Sequence, residues 1–281
     1  MHPLISELVN KRIYKGRLTD GDNVTQKILF DTVSGNSTIN LIDTSNHNPW
    51  CSQFEAGGRF NLINAIICVS LVEKLMPSIP ENKTIGIITP YRNQARLIQK
   101  IAEDKKLLPN IKIRVNTIHS FQGGEETVII LDSVEGEGAK KWSMINEYNN
   151  VASANLLLNV ALTRAETKLY VVANCSYFKN SFKSDTFFVD ILRNIIQKGK
   201  VVPSSEIICD LKNENFDYWI TKLNSFKDRP GNFGESYTHQ DFWPAFHNDL
   251  ANSDRELIIF SPFMTSERFG KLHLMFTELL S

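Results

Sequence analysis

From about residue 38 to residue 175 the chain alternates short β-branched runs with stretches of helical periodicity, and few folds accept that order. Thr38 to Asp43 (TINLID), Thr84 to Thr89 (TIGIIT), Ile111 to Val115, Thr127 to Leu131 (TVIIL) and Lys168 to Ala173 (KLYVVA) predict five strands. Runs this continuously apolar are covered on both faces, the pattern of parallel sheets. Glu55 to Met76 predicts a helix, with Phe60, Ile63, Ile67, Leu71 and Leu75 at helical spacing and Pro77 and Pro80 ending it. A second helix is predicted after Thr89, whose hydroxyl caps it, with Pro90 first and Tyr91, Ala95, Ile98 and Ala102 facing inward. Val151 to Ala165 predicts a third, with Ala154, Leu158, Ala161 and Ala165 on one side. The order implies an α/β fold: a mostly parallel sheet, helices on both faces, and the loops after the strands along one edge.

After Asn174 the pattern changes. Residues from about 176 to 235 are mixed, with a predicted helix near Phe187 to Gln197. Asn224 to Glu235 is polar, and Pro230, Gly231 and Gly234 mark it as a linker. A last unit holds a helix near Gln240 to Asn252, the strand Glu256 to Phe260 (ELIIF) and a helix to the end. It cannot bury its own faces, so it is expected to open a further α/β module that Ser281 interrupts. The expected division is 1–180 as the main domain, 181–235 as connecting helix and linker, and 236–281 as a small incomplete module.

Lysine plus arginine and aspartate plus glutamate are both 31, so the formal net charge is zero and a whole-chain footprint for nucleic acid is absent. Arg92 to Arg114 is locally basic, with seven cations against Glu103 and Asp104. A solvated helix face explains that as well as an anion-binding surface does. The four cysteines form no Cys-x-x-Cys pair and the six histidines show no ligand spacing, so neither a disulfide framework nor a metal site is expected. Cys68 and Cys175 read as buried small hydrophobes. No signal peptide and no membrane-length apolar run is apparent, so the expected location is cytoplasmic, with no membrane partner.

Three loops carry more polar chemistry than a turn needs. Thr89-Pro90-Tyr91-Arg92-Asn93-Gln94 leads into a helix N-terminus, which either suits a phosphate or is simply well capped. Asn116 to Glu126 holds Gly123 and Gly124, which let backbone approach a ligand, and Glu125, which suits sugar hydroxyls. Thr117, His119 and Gln122 in the same loop suit a phosphate backbone. Arg164 ends a mostly apolar helix, where it either caps the helix or stabilises charge on a transferring phosphate.

Together these strings resemble the second motor domain of superfamily 1 helicases, in the up-frameshift-like branch. Met1 to Gly21 (MHPLISELVNKRIYKGRLTDG) is similar to a family segment that opens on Arg-Met-His-Pro and runs to Tyr-x-Gly-x-Leu. IDTSNHNPWC with Glu55 and Ala56, GIITPYRNQ (Gly86 to Gln94), VNTIHSFQGGEETVIIL (Val115 to Leu131) and NVALTRAETKLYVVAN (Asn159 to Asn174) resemble further family blocks in order. The resemblance covers about residues 1 to 175 and implies a RecA-like sheet. It also implies that Arg164 is an arginine finger on the γ-phosphate of ATP, that Glu125 binds the ribose and that Gly123 lets backbone lie near the nucleotide. Thr89, Pro90, Tyr91, Thr117 and His119 would lie on the nucleic-acid track, with Gln122 coupling that track to the nucleotide cleft.

The sequence departs from the family pattern in places. It holds no Gly-x-x-x-x-Gly-Lys-Ser/Thr string, so ATP and Mg2+ are expected to be held mainly by a first RecA-like domain of the same parent chain. The family's Gln-x-Arg falls before Met1, and Gly124 and Glu166 stand where the family often has a basic residue. Asp241 to Phe246 with ELIIFSPFMT resembles the start of a phospholipase-D-like domain, but its His-x-Lys-x(4)-Asp motif is absent, Met275 standing where the lysine after His273 belongs.

The expected function is that of the C-terminal motor domain of an ATP-dependent helicase or translocase, inactive as an NTP hydrolase by itself. Its expected partner is single-stranded nucleic acid, with DNA favoured over RNA because of the tail. A non-catalytic RecA-like binding scaffold and the motor arm of a phospholipase-D-like nuclease in DNA repair or defence are the alternatives.

Overall fold

The computed structural model describes residues 1–208, apart from 23, 25–27, 54–57, 109, 111, 122–123, 140–144, 146–150 and 184, together with 244–246 and 248. Gln122, Gly123, the predicted linker and nearly all of the predicted C-terminal module lie outside these residues. Among the described residues no helix is long and apolar enough to cross a membrane.

The strands are β1 (Ile39–Asp43), β2 (Ser52–Gln53), β3 (Arg59–Phe60), β4 (Ile85–Thr89), β5 (Ile113–Thr117), β6 (Glu126–Asp132), β7 (Ala165–Ala173) and β8 (Lys200–Pro203). Six of them form one sheet in the order β5-β4-β6-β7-β1-β8, every neighbour parallel, while β2 and β3 make a separate antiparallel pair. The helices are α1 (Pro3–Ile13), α2 (Leu62–Leu75), α3 (Arg92–Asp104), α4 (Val151–Leu162), α5 (Cys175–Ser181) and α6 (Phe187–Lys198).

Successive residues of a strand point to opposite faces, and here each face has its own core. Val128, Ile130, Tyr170 and Val172 pack under α2 and α3. Ile129, Leu131, Leu169 and Val171 pack under α1, α4 and α6. This is the expected α/β, RecA-like architecture with helices on both faces. It includes β8, a four-residue run that only pairing with Asn40–Asp43 makes a strand. Gly199 permits the approach, since a Cβ there would stand 2.0 Å from the Ile39 carbonyl oxygen. The sheet thus extends past the expected boundary at residue 180.

Several predicted ends move. The helix predicted from Glu55 begins at Leu62, because the Asn61 side chain accepts the Asn64 amide at 3.0 Å and Phe60 is drawn into β3 opposite Ser52. Thr89 does not cap α3. It stays in β4 opposite Thr117, and the extended residue Tyr91 takes the N-cap position without a side-chain bond. A residue before proline is biased toward extended backbone, which keeps Thr89 in the strand. Ala165 leaves the predicted end of α4 and opens β7, because it pairs with Glu126. Lys168 in β7 is buried, paired with Asp31, and donates to the Gly35 carbonyl at 2.7 Å and to Ser34 Oγ at 3.1 Å. Tyr170 donates to the same carboxylate at 2.7 Å, so residues 31–35 close one side of the sheet.

Parallel strands leave the sheet at one edge and enter it at the other. Thr89 and Thr117 end their strands at the C-terminal edge. Glu126 and Ala165 begin theirs, so Glu125 and Arg164 sit at the opposite, N-terminal edge. The loops do not share one edge as expected. The connection from β5 to β6 runs from one edge to the other and passes β4, which lies between them. A 3-10 turn, Ile118–Phe121, makes the crossing and buries Ile118 and Phe121. Gly86 in β4 makes room for it: a Cβ there would lie 2.9 Å from Glu126 Cγ and 3.1 Å from Phe121 Cε1.

Candidate functional site

At the N-terminal edge α4 stops at Leu162, two residues before Arg164. The Asn159 carbonyl accepts both the Thr163 amide at 3.0 Å and the Thr163 hydroxyl at 2.8 Å. Arg164 is half-buried. Its Nε donates to the Val160 carbonyl at 3.2 Å, Nη1 to the Gly124 carbonyl at 3.1 Å and Nη2 to Thr163 Oγ1 at 3.3 Å. Its own carbonyl accepts the Glu126 amide at 2.9 Å, which ties the turn to the start of β6. Among the described residues, every acceptor on this guanidinium is a neutral oxygen. A cation held that way keeps its attraction for an incoming anion. Glu125, next to Gly124, is exposed. The structure therefore brings Arg164 and Glu125 to one place.

Arg114 clamps the same loop from the outermost strand. Its guanidinium carbon lies 4.5 Å from the Phe121 ring centroid, and Nη2 donates to the Ser120 carbonyl at 3.2 Å. Gly124 passes so close that a Cβ would stand 2.9 Å from Arg114 Nη1. In the sequence Arg114 was only one member of a basic run. That run is partly neutralised: Lys100 pairs with Glu103 at 2.5 Å and Lys105 with Glu73 at 3.4 Å.

The C-terminal edge holds the other predicted residues. His119 is exposed, and Thr117 Oγ1 lies 3.1 Å from Ser120 Oγ. Thr89, Pro90 and Tyr91 are buried. Thr89 Oγ1 has no hydrogen-bond partner among the described residues. The Tyr91 hydroxyl donates to Glu135 Oε1 at 2.8 Å, and Glu135 also pairs with the fully buried Arg59. Arg59 in turn lies 5.7 Å from the Tyr91 ring centroid.

Beneath Tyr91 runs a polar network that no sequence motif announced. Asp132 accepts Gln94 Nε2 at 2.6 Å, Asn64 Nδ2 at 2.9 Å and the Val134 amide at 2.9 Å. Burial pushes its carboxyl up and those bonds pull it part of the way back, leaving it at about 6. Asn61 Nδ2 donates to the Val134 carbonyl at 3.1 Å. Val134 is held at φ 66°, a conformation that costs a β-branched residue about 1–3 kcal/mol and persists only where neighbours enforce it. Asp132 and Asn61 do so here. The signal in the sequence was the acidic pair Asp132 and Glu135 after an apolar strand, which reads equally well as a solvated loop.

A family profile described as AAA domain matches residues 1–176. Helicase sen1 of Schizosaccharomyces pombe is 27% identical over 244 residues, covering 77% of this chain and 13% of that protein. ATP-dependent helicase NAM7 of Saccharomyces cerevisiae is 27% identical over 214 residues, covering 72% of this chain and 20% of that protein. DNA replication ATP-dependent helicase/nuclease DNA2 of Mus musculus is 26% identical over 219 residues, covering 67% and 19%. The chain thus spans a fifth or less of these relatives. With the profile matching well over half of its residues, the chain belongs to the AAA domain family, as a helicase-type domain of superfamily 1.

Proposed function

We propose that this chain is the second RecA-like motor domain of an ATP-driven superfamily 1 translocase, and that Arg164 is its arginine finger. The observation that carries the reading is the state of Arg164: half-buried, ordered by three neutral acceptors, and beside exposed Glu125. These residues fit a nucleotide. The guanidinium can trade the Gly124 carbonyl for phosphate oxygens, and the Glu125 carboxylate can accept from ribose hydroxyls. Bound ATP supplies the phosphoryl group. Arg164 stabilises the charge that develops on it, Glu125 orients the sugar, and Arg114 keeps their loop in place. In this proposal the phosphate cradle and Mg2+ belong to a first motor domain, and single-stranded nucleic acid, DNA in preference to RNA, runs along the C-terminal edge past Thr117 and His119. The loop between β5 and β6 starts at that track and ends at Glu125, so it provides a mechanical link between strand and nucleotide, with Gln122 and Gly123 on the way.

Thr89, Pro90 and Tyr91 are proposed to support the track from beneath, since their side chains are buried. The test is steady-state ATP hydrolysis by the complete protein carrying Arg164→Ala. An arginine finger is worth about 10³-fold or more in kcat, so turnover should nearly vanish. Near-normal turnover removes the role.

A further inference from the structure

We propose that Thr163 is a positioning residue for the arginine finger: its hydroxyl holds Arg164 Nη2 and so aims the other edge of the guanidinium at the phosphate. This rests on the reading of Arg164 as the finger, and adds the group that orients that side chain before a nucleotide arrives.

A hydroxyl carries one proton and two lone pairs. The Thr163 proton has two acceptors in reach, the Asn159 carbonyl at 2.8 Å and the Val160 carbonyl at 3.3 Å. Both belong to α4. With the proton committed to the helix, the lone pairs are left for another donor, and Arg164 Nη2 meets the oxygen at 3.3 Å. The threonine is thus an acceptor of fixed direction.

The backbone supplies the companion contact. α4 ends at Leu162, and the Arg164 amide turns to the Ala161 carbonyl at 3.4 Å. The Val160 carbonyl, four residues back, is thereby left for Arg164 Nε, which donates to it at 3.2 Å. Nε and Nη2 form one edge of the planar fork. Residues 160 and 163 hold that edge, both within four positions of Arg164, so the hold needs no other part of the chain.

Among the described residues only Nη1 reaches a distant segment, the Gly124 carbonyl at 3.1 Å. It is the contact to exchange for a phosphate oxygen, because releasing it leaves the guanidinium gripped at two points. With Nε alone held, the fork could swing about that bond. The acceptors are neutral, so the grip leaves the charge uncompensated. A group fixed in advance stabilises developing charge without reorienting at the moment of reaction.

The experiment uses the complete protein. Thr163→Val keeps the branched shape and deletes the oxygen. Its kcat for ATP hydrolysis should fall roughly tenfold, with KM for ATP within about twofold of the original. Thr163→Ser keeps the oxygen and should retain kcat within about twofold. Added to Arg164→Ala and measured in single turnovers, Thr163→Val should cause no further loss, because the hydroxyl then has no guanidinium to hold. An undiminished kcat in Thr163→Val overturns the proposal, as does a serine variant as slow as the valine one. The same fold-loss with and without Arg164 also overturns it, and is what a threonine that merely ends the helix gives. Near-normal turnover of Arg164→Ala alone removes the finger reading itself, a result distinct from a failure at Thr163.

Discussion

The two edges of the sheet hold their charged groups in opposite ways. At the N-terminal edge Arg164 is half-buried on neutral oxygens and Glu125 is exposed. At the C-terminal edge Arg59 is fully buried against Glu135, with Tyr91, Gln94 and Asp132 closed in around them. A guanidinium on carbonyls gives up bonds worth about 1 kcal/mol each, net, and gains stronger ones from an anion. A guanidinium buried on a carboxylate cannot leave without stranding a charge, at roughly 3–5 kcal/mol. The first edge can change partners and the second holds a fixed shape, as the proposed finger and the proposed track would each require.

Substitutions at the two edges should therefore fail in different assays. The largest expected effect is the loss of about 10³-fold in kcat from Arg164→Ala, accompanied by a change in unfolding free energy of roughly 1–3 kcal/mol for three neutral hydrogen bonds. A collapse of stability with that substitution would erase the contrast between the edges. Arg164→Lys sharpens it: a lysine keeps the charge but lacks the planar fork, so turnover should stay strongly reduced.

At the other edge, Arg59→Met leaves Glu135 buried without its cation and should cost roughly 3–5 kcal/mol in chemical denaturation. Replacing both partners, Arg59→Met with Glu135→Leu, should recover much of that loss. A double variant as unstable as the single one would show that the pair itself, and not the stranded carboxylate, sets the cost.

Asp132 gives the closed edge a pH signature. Folded, its carboxyl holds a proton up to about 6, whereas its ordinary value is 3.8. Between those values the native state binds the extra proton, so its contribution to stability falls as pH rises through that window, by roughly 3 kcal/mol in total. Asp132→Asn should flatten the dependence of the thermal midpoint on pH across the same window. Equal slopes for the two proteins would remove Asp132 as the cause.

The smallest effect on the fold is expected at His119, exposed on the crossing turn. His119→Ala should move stability by no more than about 0.5 kcal/mol, while binding of a single strand weakens. Unchanged binding would take His119 off the proposed track.

Five of the six strands of the main sheet, and helices of both layers, were legible in the sequence because periodicity is local; β8 and the β2–β3 pair were not. TIGIIT, TVIIL and KLYVVA carry their burial in their own composition. Element ends were less legible, because they depend on distant partners. Thr89 had every local mark of a helix cap, yet its backbone belongs to the ladder with Thr117. Ala165 fitted the apolar side of α4, yet Glu126 draws it into β7. Among the candidate site residues, Arg164 and Glu125 were legible as motif members, and their proximity was not. Asp132, Glu135 and Arg59 carried no motif at all.

By itself, then, the sequence determined an α/β sheet covered on both faces, since apolar runs of these lengths have few other ways to leave water. It also marked the three polar loops. Only the tertiary structure decided which edge each loop occupies, because a parallel sheet separates strand starts from strand ends and the chain between β5 and β6 has to cross from one to the other. It alone placed Arg164 on neutral oxygens and Arg59 on a carboxylate. Two arginines are identical as letters, and what each can do is set by the dielectric and the partners that residues far along the chain bring to it.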